Sequence, residues 1–245
     1  MGSTSKKKMK GVILAGGRGE RLRPLTLVTN KHLLPVYNKP MILYTIDTLR
    51  RSGIDEIMIV VGREHAGHFM HFLSSGREHG VKFSYALQDK DNGGIADALS
   101  YAEDFAGDSH IAIILGDNIF EEDFAHAVNS FTGGARVFLK KVKDPHRFGV
   151  PVFDPSGKKI LRIEEKPKKP KSNFAQTGFY LFDNNVFSII KTLAPSARGE
   201  LEITDVNNIY LDRGELTFSF VKRGWFDAGT FESLLHASTM VAKRK

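Results

Sequence analysis

The 245-residue chain contains no cysteine. Disulfides, cysteine-ligated zinc, iron–sulfur clusters and thiol nucleophiles are therefore excluded. No apolar run approaches the roughly 20 residues that span a bilayer. The first ten residues are polar and basic and lack the apolar stretch of a secretory signal. A cytoplasmic protein with no membrane partner is expected. The body of the chain also lacks a charge excess, although the net charge is +7. Lys6, Lys7, Lys8 and Lys10 lead the chain, Lys243, Arg244 and Lys245 end it, and neither segment holds an acid. Setting those seven aside leaves 28 basic against 28 acidic residues from Gly11 to Ala242. A phosphate-backbone footprint needs basic residues gathered on one folded face, so no nucleic-acid partner is expected. Residues 1–9 read as a disordered basic leader.

What is present is an ordinary globular composition, 41% hydrophobic and 26% charged, long enough for one sizeable α/β core. Gly11 to Ala15 is a buried-strand run that breaks at Gly16-Gly17. Strand and helix patterns then alternate: a helix over 41–51, a strand over 57–61, a helix over 65–73, a strand over 81–87, a helix over 94–105, a strand over 111–115, a helix over 123–131 and a strand over 135–142. This alternation predicts a Rossmann-like, mostly parallel sheet flanked by helices. After Asp144 the rhythm changes. Residues 149–153 and 160–163 read as a hairpin in which Pro151 marks an edge or a bulge, and Lys166 to Lys171 is a charged connector. A strand over 178–182, helices over 185–193 and 204–211, a strand over 216–221 and a helix over 230–242 complete a smaller mixed β/α part. Residues 10–143 are expected to form a nucleotide-type half and 144–245 a smaller mixed half of one domain.

The glycine loop Gly16-Gly17-Arg18-Gly19-Glu20-Arg21 follows a strand, where open α/β sheets place ligands. It fails the dinucleotide fingerprint, because Leu22 replaces the third glycine and the first acid in range, Asp47, lies within a helical stretch. It also lacks the Gly-Lys-Ser/Thr of a Walker A loop. What remains is a flexible backbone beside Arg18, Arg21, Arg23 and Lys31, which suits a phosphate. Asp117 ends the buried run at Leu115-Gly116. An aspartate there either faces a polyphosphate through Mg²⁺ or caps a helix, and the residues alone leave both open. Trp225-Phe226-Asp227-Ala228-Gly229-Thr230 places a second acid at a strand-to-helix turn, and two such acids could share one Mg²⁺.

Taken in order, GVILAGGRGERLRPLT, the KHLLP run from Lys31 to Pro35, LGDN, IEEKPKKPKSNFAQTGFY, SARGELEITDVNNIY and WFDAGT resemble the sugar-1-phosphate nucleotidylyltransferases. The chain is most similar to the glucose-1-phosphate thymidylyltransferases, and to their short members, which lack a further C-terminal helical segment. The resemblance implies transfer of a nucleotidyl group from dTTP or UTP to glucose 1-phosphate or a related sugar 1-phosphate, with release of pyrophosphate. Mg²⁺ is the implied cofactor, and a homodimer or homotetramer the implied assembly. The attacking oxygen belongs to a phosphate already ionised near neutrality, so no general base is needed. The protein's tasks are to align two anions and neutralise developing charge.

By the same resemblance, Arg21 holds the departing phosphates, Lys31 contacts the α-phosphate or the sugar phosphate, and Lys166 neutralises the sugar phosphate. Asp117 and Asp227 hold the metal. Gly16, Gly17 and Gly19 bind the triphosphate, Leu14 and Ala15 the nucleoside, and Gln88, Gly93 and Gly94 the base. An amide both donates and accepts, which matches O4 and N3–H of thymine or uracil. Phe148, Gly149, Glu165, Lys166, Gln176, Thr177 and Trp225 form the sugar site. Phe148 and Gln176 depart from the common tyrosine and valine of the glucose-type pattern, and Asp97 from a common glutamine. These departures bear on which sugar is used.

Other readings are weaker. His65, His68 and His71 have helical spacing but no zincin motif, and they read as surface histidines. Glu164 and Glu165 are strand neighbours that point to opposite faces, so they cannot flank one glycosidic bond. A non-catalytic nucleotide- or sugar-phosphate-binding paralogue is the alternative function. It would have no need to retain both metal carboxylates.

Overall fold

The computed structural model describes residues 7–90 and 92–243. Most of the basic leader (residues 1–6) and the last two basic residues lie outside the described residues. The leader's end lies inside them: Met9 already belongs to β1 (Met9–Ala15), and Lys8 Nζ sits 2.9 Å from Glu56 Oε1. After β1 come the two-residue strands β2 (Pro35–Val36) and β3 (Lys39–Pro40), then α1 (Met41–Arg51), β4 (Glu56–Gly62), α2 (Ala66–Leu73) and β5 (Lys82–Gln88). Next are α3 (Ile95–Ser100), α4 (Glu103–Ala106), β6 (His110–Leu115), β7 (Asn118–Phe120), α5 (Ala125–Asn129) and β8 (Ala135–Lys141). The remainder is β9 (Gly149–Phe153), β10 (Ile160–Glu165), β11 (Phe174–Phe182), α6 (Asn185–Ile190), α7 (Ile203–Asp212), β12 (Leu216–Phe220), β13 (Trp225–Asp227) and α8 (Phe231–Ala242).

The main sheet has seven strands in the order β12-β8-β11-β6-β1-β4-β5. Every pairing is parallel except those of β11, which runs antiparallel to both β6 and β8. The continuous apolar runs follow from burial on both faces. In β1, Val12 and Leu14 join one core with α3, α6 and α7. Ile13 and Ala15 alternate into the other core, beneath α1 and α2. The sheet crosses the boundary expected near residue 143, because β11 and β12 complete it from the second half.

Three elements differ from the sequence expectation. The helix expected over 94–105 is broken between α3 and α4, where Ala102 N donates to Leu99 O at 2.9 Å. Ser100 Oγ also bonds the Asp97 carbonyl at 2.6 Å, a local alternative to the helical ladder. Strand β11 begins four residues before the expected Gly178, so Gln176 and Thr177 lie inside it. The short pair β7 and β13 was not foreseen, since three residues are too few to display a period.

The second core centres on four phenylalanines. Phe124 stacks on Phe179 at 4.1 Å between ring centroids and meets Phe138 edge-on at 4.8 Å. Phe120 closes the group 5.1 Å from Phe124. Phe124 is 2% exposed, so its truncation leaves a cavity that the surrounding sheet cannot fill. Phe124→Ala should lower the unfolding free energy by about 3–5 kcal/mol. In urea titrations this should move the midpoint while the slope stays unchanged.

Candidate active site

The C-terminal ends of β1, β4, β5 and β6 meet at one rim, where strand order switches from β1 outward to β4 on one side and β6 on the other. Ligands bind in open α/β sheets at such a crevice. Because β11 is antiparallel, it delivers its beginning, Gln176 and Gly178, to the same rim. Two cavities open there, of about 330 Å³ and 430 Å³. Arg21, Ile95, Leu115, Asp117 and Lys166 line both, so the cavities share one wall.

The cationic part of that wall is built on short turns. Arg21 lies in a 3₁₀ turn, Glu20–Leu22, that starts from Gly19 at φ +65°, a conformation glycine adopts without strain. Thr26 Oγ1 fastens that turn by donating to the Gly19 carbonyl at 2.9 Å. Lys31 opens a second turn, Lys31–Leu33, capped by the Asn30 side chain, which accepts from His32 N at 3.0 Å. The Asn30 amide also donates to the Ala15 carbonyl at 3.3 Å, which ties the turn to the end of β1. Lys31 thereby crosses the glycine loop. Its Nζ lies 3.7 Å from the point where a β-carbon on Gly17 would stand.

The acids meet through the small β7–β13 ladder, in which Asp227 pairs with Asn118 and Ala228 N donates to Asp117 O at 2.9 Å. Asp117 is thus followed by a strand, which sets aside the helix-cap reading. A β-carbon built on Gly229 would lie 3.0 Å from Asp227 Oδ1, 3.1 Å from an Arg21 guanidinium nitrogen and 3.6 Å from Asp117 Oδ2. Lys31 Nζ donates to Asp117 Oδ2 at 2.5 Å and Asn118 Nδ2 to Oδ1 at 2.9 Å. Burial acts to raise the Asp117 carboxyl, but Lys31 and these hydrogen bonds overcome it and hold the group well below the usual carboxylate range. Asp227 is raised, first by burial and then by the Asp117 charge, while Lys31, Arg147 and Arg21 offset this in part. A buried and a partly buried carboxylate that repel each other over a shared opening fit a divalent cation, which one or two carboxylates hold when phosphate oxygens supply the rest.

The larger cavity is walled by Phe148 and Trp225, whose rings stand 5.2 Å apart, with Gly149, Glu165 and Gln176 around it. Trp225 Nε1 donates to Asn118 Oδ1 at 2.6 Å, and Gly178 N donates to the same oxygen at 3.0 Å. Glu165 is held by Thr204 Oγ1 at 2.6 Å and by Arg198 at 3.2 Å. On the cavity floor, Gln176 accepts from Asn207 Nδ2 at 3.1 Å and donates to the Tyr180 hydroxyl at 3.3 Å. Lys166 has φ +42°, rare for a residue with a β-carbon. Its N–H is fixed on Phe148 O at 3.0 Å.

Most of the expected site residues therefore converge. Leu14, Gly16, Gly17, Arg21, Lys31, Gln88, Gly94, Asp117 and Lys166 line the smaller cavity. Phe148, Gly149, Glu165, Lys166, Gln176, Trp225, Asp117 and Asp227 line the larger one. Four do not line either. Ala15 turns its methyl into the core beneath α1, Gly19 shapes the Arg21 turn, and Gly93 backs onto Asp97. Thr177 is fully buried on the face of β11 opposite Gln176, as a two-residue period requires. Residues the sequence reading passed over are Asn118, Tyr180 and Arg147. Asn118 stood inside LGDN, and Tyr180 shares the Gln176 face by the same period. Arg147, 3.3 Å from Asp227 Oδ2, had no local signal.

The nucleotidyl transferase family profile matches residues 10–244. A glucose-1-phosphate thymidylyltransferase of Neisseria gonorrhoeae is 45% identical over 239 residues, covering 95% of this chain and 82% of that protein. One from Mycolicibacterium smegmatis is 44% identical over 238 residues, with the same coverage. A crystal structure from Bacillus anthracis, solved with sucrose and assigned there to a glucose-1-phosphate thymidylyltransferase, superposes with a TM-score of 0.90. It is 54% identical and covers 95% of each chain. A UDP-glucose pyrophosphorylase solved with UDP-glucose shares the fold, at a TM-score of 0.85 and 23% identity over 97% of this chain and 99% of that one. The chain belongs to the nucleotidyl transferase family.

The packing beside Lys31 has a measurable signature. His32 is buried against Gly116, with Nδ1 2.6 Å from Asn30 Oδ1. Burial, reinforced by the Lys31 charge, lowers its pKa to about 3. Between that value and the unfolded value near 6.5, the unfolded chain binds a proton that the folded chain refuses, so stability rises with pH across this window. A single such proton gives a slope of up to about 1.4 kcal/mol per pH unit. Urea unfolding of wild type and His32→Gln at pH 5 and 6 should show a shallower pH slope in the variant by about 1 kcal/mol per unit. Equal slopes would place the titration elsewhere.

Proposed function

We propose that this chain is a Mg²⁺-dependent enzyme that transfers a nucleotidyl group from dTTP or UTP to glucose 1-phosphate or a related sugar 1-phosphate. A phosphate oxygen of the sugar phosphate attacks the α-phosphorus, the α–β phosphoanhydride bond breaks, and pyrophosphate leaves. The observation that carries this reading is the shared wall: two cavities of suitable size separated only by Arg21, Asp117, Lys166 and apolar neighbours. One cavity has the glycine loop and Gln88 for a nucleotide, and the other has the aromatic and polar lining suited to a sugar. The names of the relatives point to the same reaction.

Mg²⁺ at Asp117 and Asp227 would supply neutralising charge at the triphosphate. Lys31 sits where it can exchange the Asp117 carboxylate for a phosphate oxygen. Arg21 faces the same opening, where its guanidinium can take up charge that grows on the departing pyrophosphate. Lys166, on the wall between the cavities, is suited to hold the sugar phosphate against that centre. Trp225 and Phe148 offer apolar faces to a sugar ring. Glu165, pre-oriented by Thr204 and Arg198, offers acceptors to its hydroxyls. A non-catalytic role would leave this convergence of cations and carboxylates without a purpose.

The direct test is pyrophosphate release with Mg²⁺ and a panel of triphosphates and sugar 1-phosphates. dTTP or UTP should exceed ATP and GTP in kcat/KM. Galactose, amino or acetamido sugar 1-phosphates should be used beside glucose 1-phosphate, because Gln176 both donates and accepts and Phe148 carries no hydroxyl. ATP or GTP in first place, or strict use of glucose 1-phosphate, would contradict the corresponding half. Asp117→Asn and Asp227→Asn should each remove most turnover, since losing one metal carboxylate costs several kcal/mol of transition-state stabilisation. Circular dichroism should show both variants folded, and near-normal rates at low Mg²⁺ would refute the metal assignment.

A further inference from the structure

Behind the smaller cavity lies a buried polar pair, of which only Gln88 lines the cavity, and the transfer chemistry leaves the pair unused. Gln88 ends β5 and is 5% exposed, while Asp97, in the first turn of α3, is 7% exposed. Gln88 Nε2 donates to Asp97 Oδ2 at 3.1 Å. A carboxylate accepts but does not donate, so the amide nitrogen must face Asp97 and the amide oxygen must turn away from it. That oxygen lies over Gly16, only 2.2 Å from the place a β-carbon there would occupy. Asp97 in turn fills the space beside Gly93, with Oδ2 2.0 Å from its would-be β-carbon. Two glycines thus clear room for one oriented pair. The loop carrying Gly93 is pinned as well, since Leu201 N donates to Gly93 O at 2.8 Å.

We infer that Asp97 is a positioning residue that fixes the direction of the Gln88 amide and so makes the site select thymine or uracil over cytosine. This rests on the proposed reading of Gln88 as the contact to the base. Thymine and uracil present N3–H beside the O4 carbonyl. A fixed amide meets both, with Oε1 accepting from N3–H and the second Nε2 proton reaching O4. Cytosine presents the reverse pair, a ring-nitrogen acceptor beside an amino donor. To meet it the amide would have to turn over, which sets Oε1 against the Asp97 carboxylate with no proton between them. An unlocked glutamine would serve either base, because its amide reads both patterns. The carboxylate therefore converts an ambivalent side chain into a selective one.

The test compares kcat/KM for dTTP, UTP and CTP with one sugar 1-phosphate and Mg²⁺, in wild type, Asp97→Asn, Asp97→Ser and Gln88→Leu. The dTTP-to-CTP ratio is internal to each preparation, so a partly folded variant still reports it. Wild type should favour dTTP and UTP over CTP by roughly 5- to 150-fold, the range for one unpaired buried polar contact. Asp97→Asn and Asp97→Ser should bring that ratio down to about one to three, chiefly through a lower KM for CTP. If both variants slow all three triphosphates equally while Gln88→Leu collapses the ratio, Asp97 is merely structural and the inference is overturned. If Gln88→Leu leaves the ratio unchanged, Gln88 does not read the base, and the reading beneath the inference fails instead.

Discussion

Everything at the rim depends on keeping two carboxylates, Asp117 and Asp227, side by side and partly shielded from water. Like charges in that arrangement are costly, and the raised Asp227 carboxyl registers the cost. The fold tolerates it because cations approach from three directions: Arg21 from the turn that closes the glycine loop, Lys31 from a later turn, and Arg147 from the segment leading into β9. Backbone pairing between β7 and β13 then removes the option of moving the acids apart. The centre is left with negative charge aimed into an opening and positive charge around its edge. That is the distribution required where polyanions must be brought together and partly neutralised.

A parallel sheet alone would have furnished only half of this site. Its strand ends supply the glycine loop after β1, Gln88 at the end of β5 and Asp117 just after β6. The larger cavity needs residues from the other half of the chain, and the reversed strand β11 provides some of them. Running antiparallel between β6 and β8, it starts at the rim and ends at the far edge, so Gln176 faces the cavity while Phe179 to Phe182 remain in the cores. Asn118 joins the two parts. Its single side-chain oxygen accepts from Gly178 N on β11 and from Trp225 on β13, while its amide nitrogen steadies Asp117.

The sheet was legible because both faces are buried, so β1, β4 and β6 stand out as uninterrupted apolar runs ending in glycine. The parallel class, the crevice after β1 and the two aspartates followed from those endings together with the family resemblance. Less legible was whatever depends on pairing between distant short segments. The ladder of β7 with β13 carries no internal period, yet it is what turns two isolated aspartates into one centre. The family resemblance places Thr177 in the sugar site, whereas strand alternation sends it to the face opposite Gln176 once β11 is known to start at Phe174. Arg147 reaches Asp227 only because the turn before β9 comes to lie beside the end of β13, a fact of tertiary geometry that no neighbouring residue announces.

On the proposed function, the division of polar groups between the two cavities follows from what each would have to distinguish. On the nucleotide side a single amide is backed by a carboxylate that can act only as an acceptor. On the sugar side the floor amide of Gln176 is backed by Asn207 and Tyr180, whose amide and hydroxyl can each donate or accept. A network made wholly of such groups can reverse its donors and acceptors together, so it accommodates a hydroxyl, an amino group or an amide carbonyl at similar cost. On the proposed reading, rigid polarity at the base and reversible polarity at the sugar would thus reside in the backing residues, Asp97 in one case and Asn207 in the other, rather than in the side chains that face the cavities.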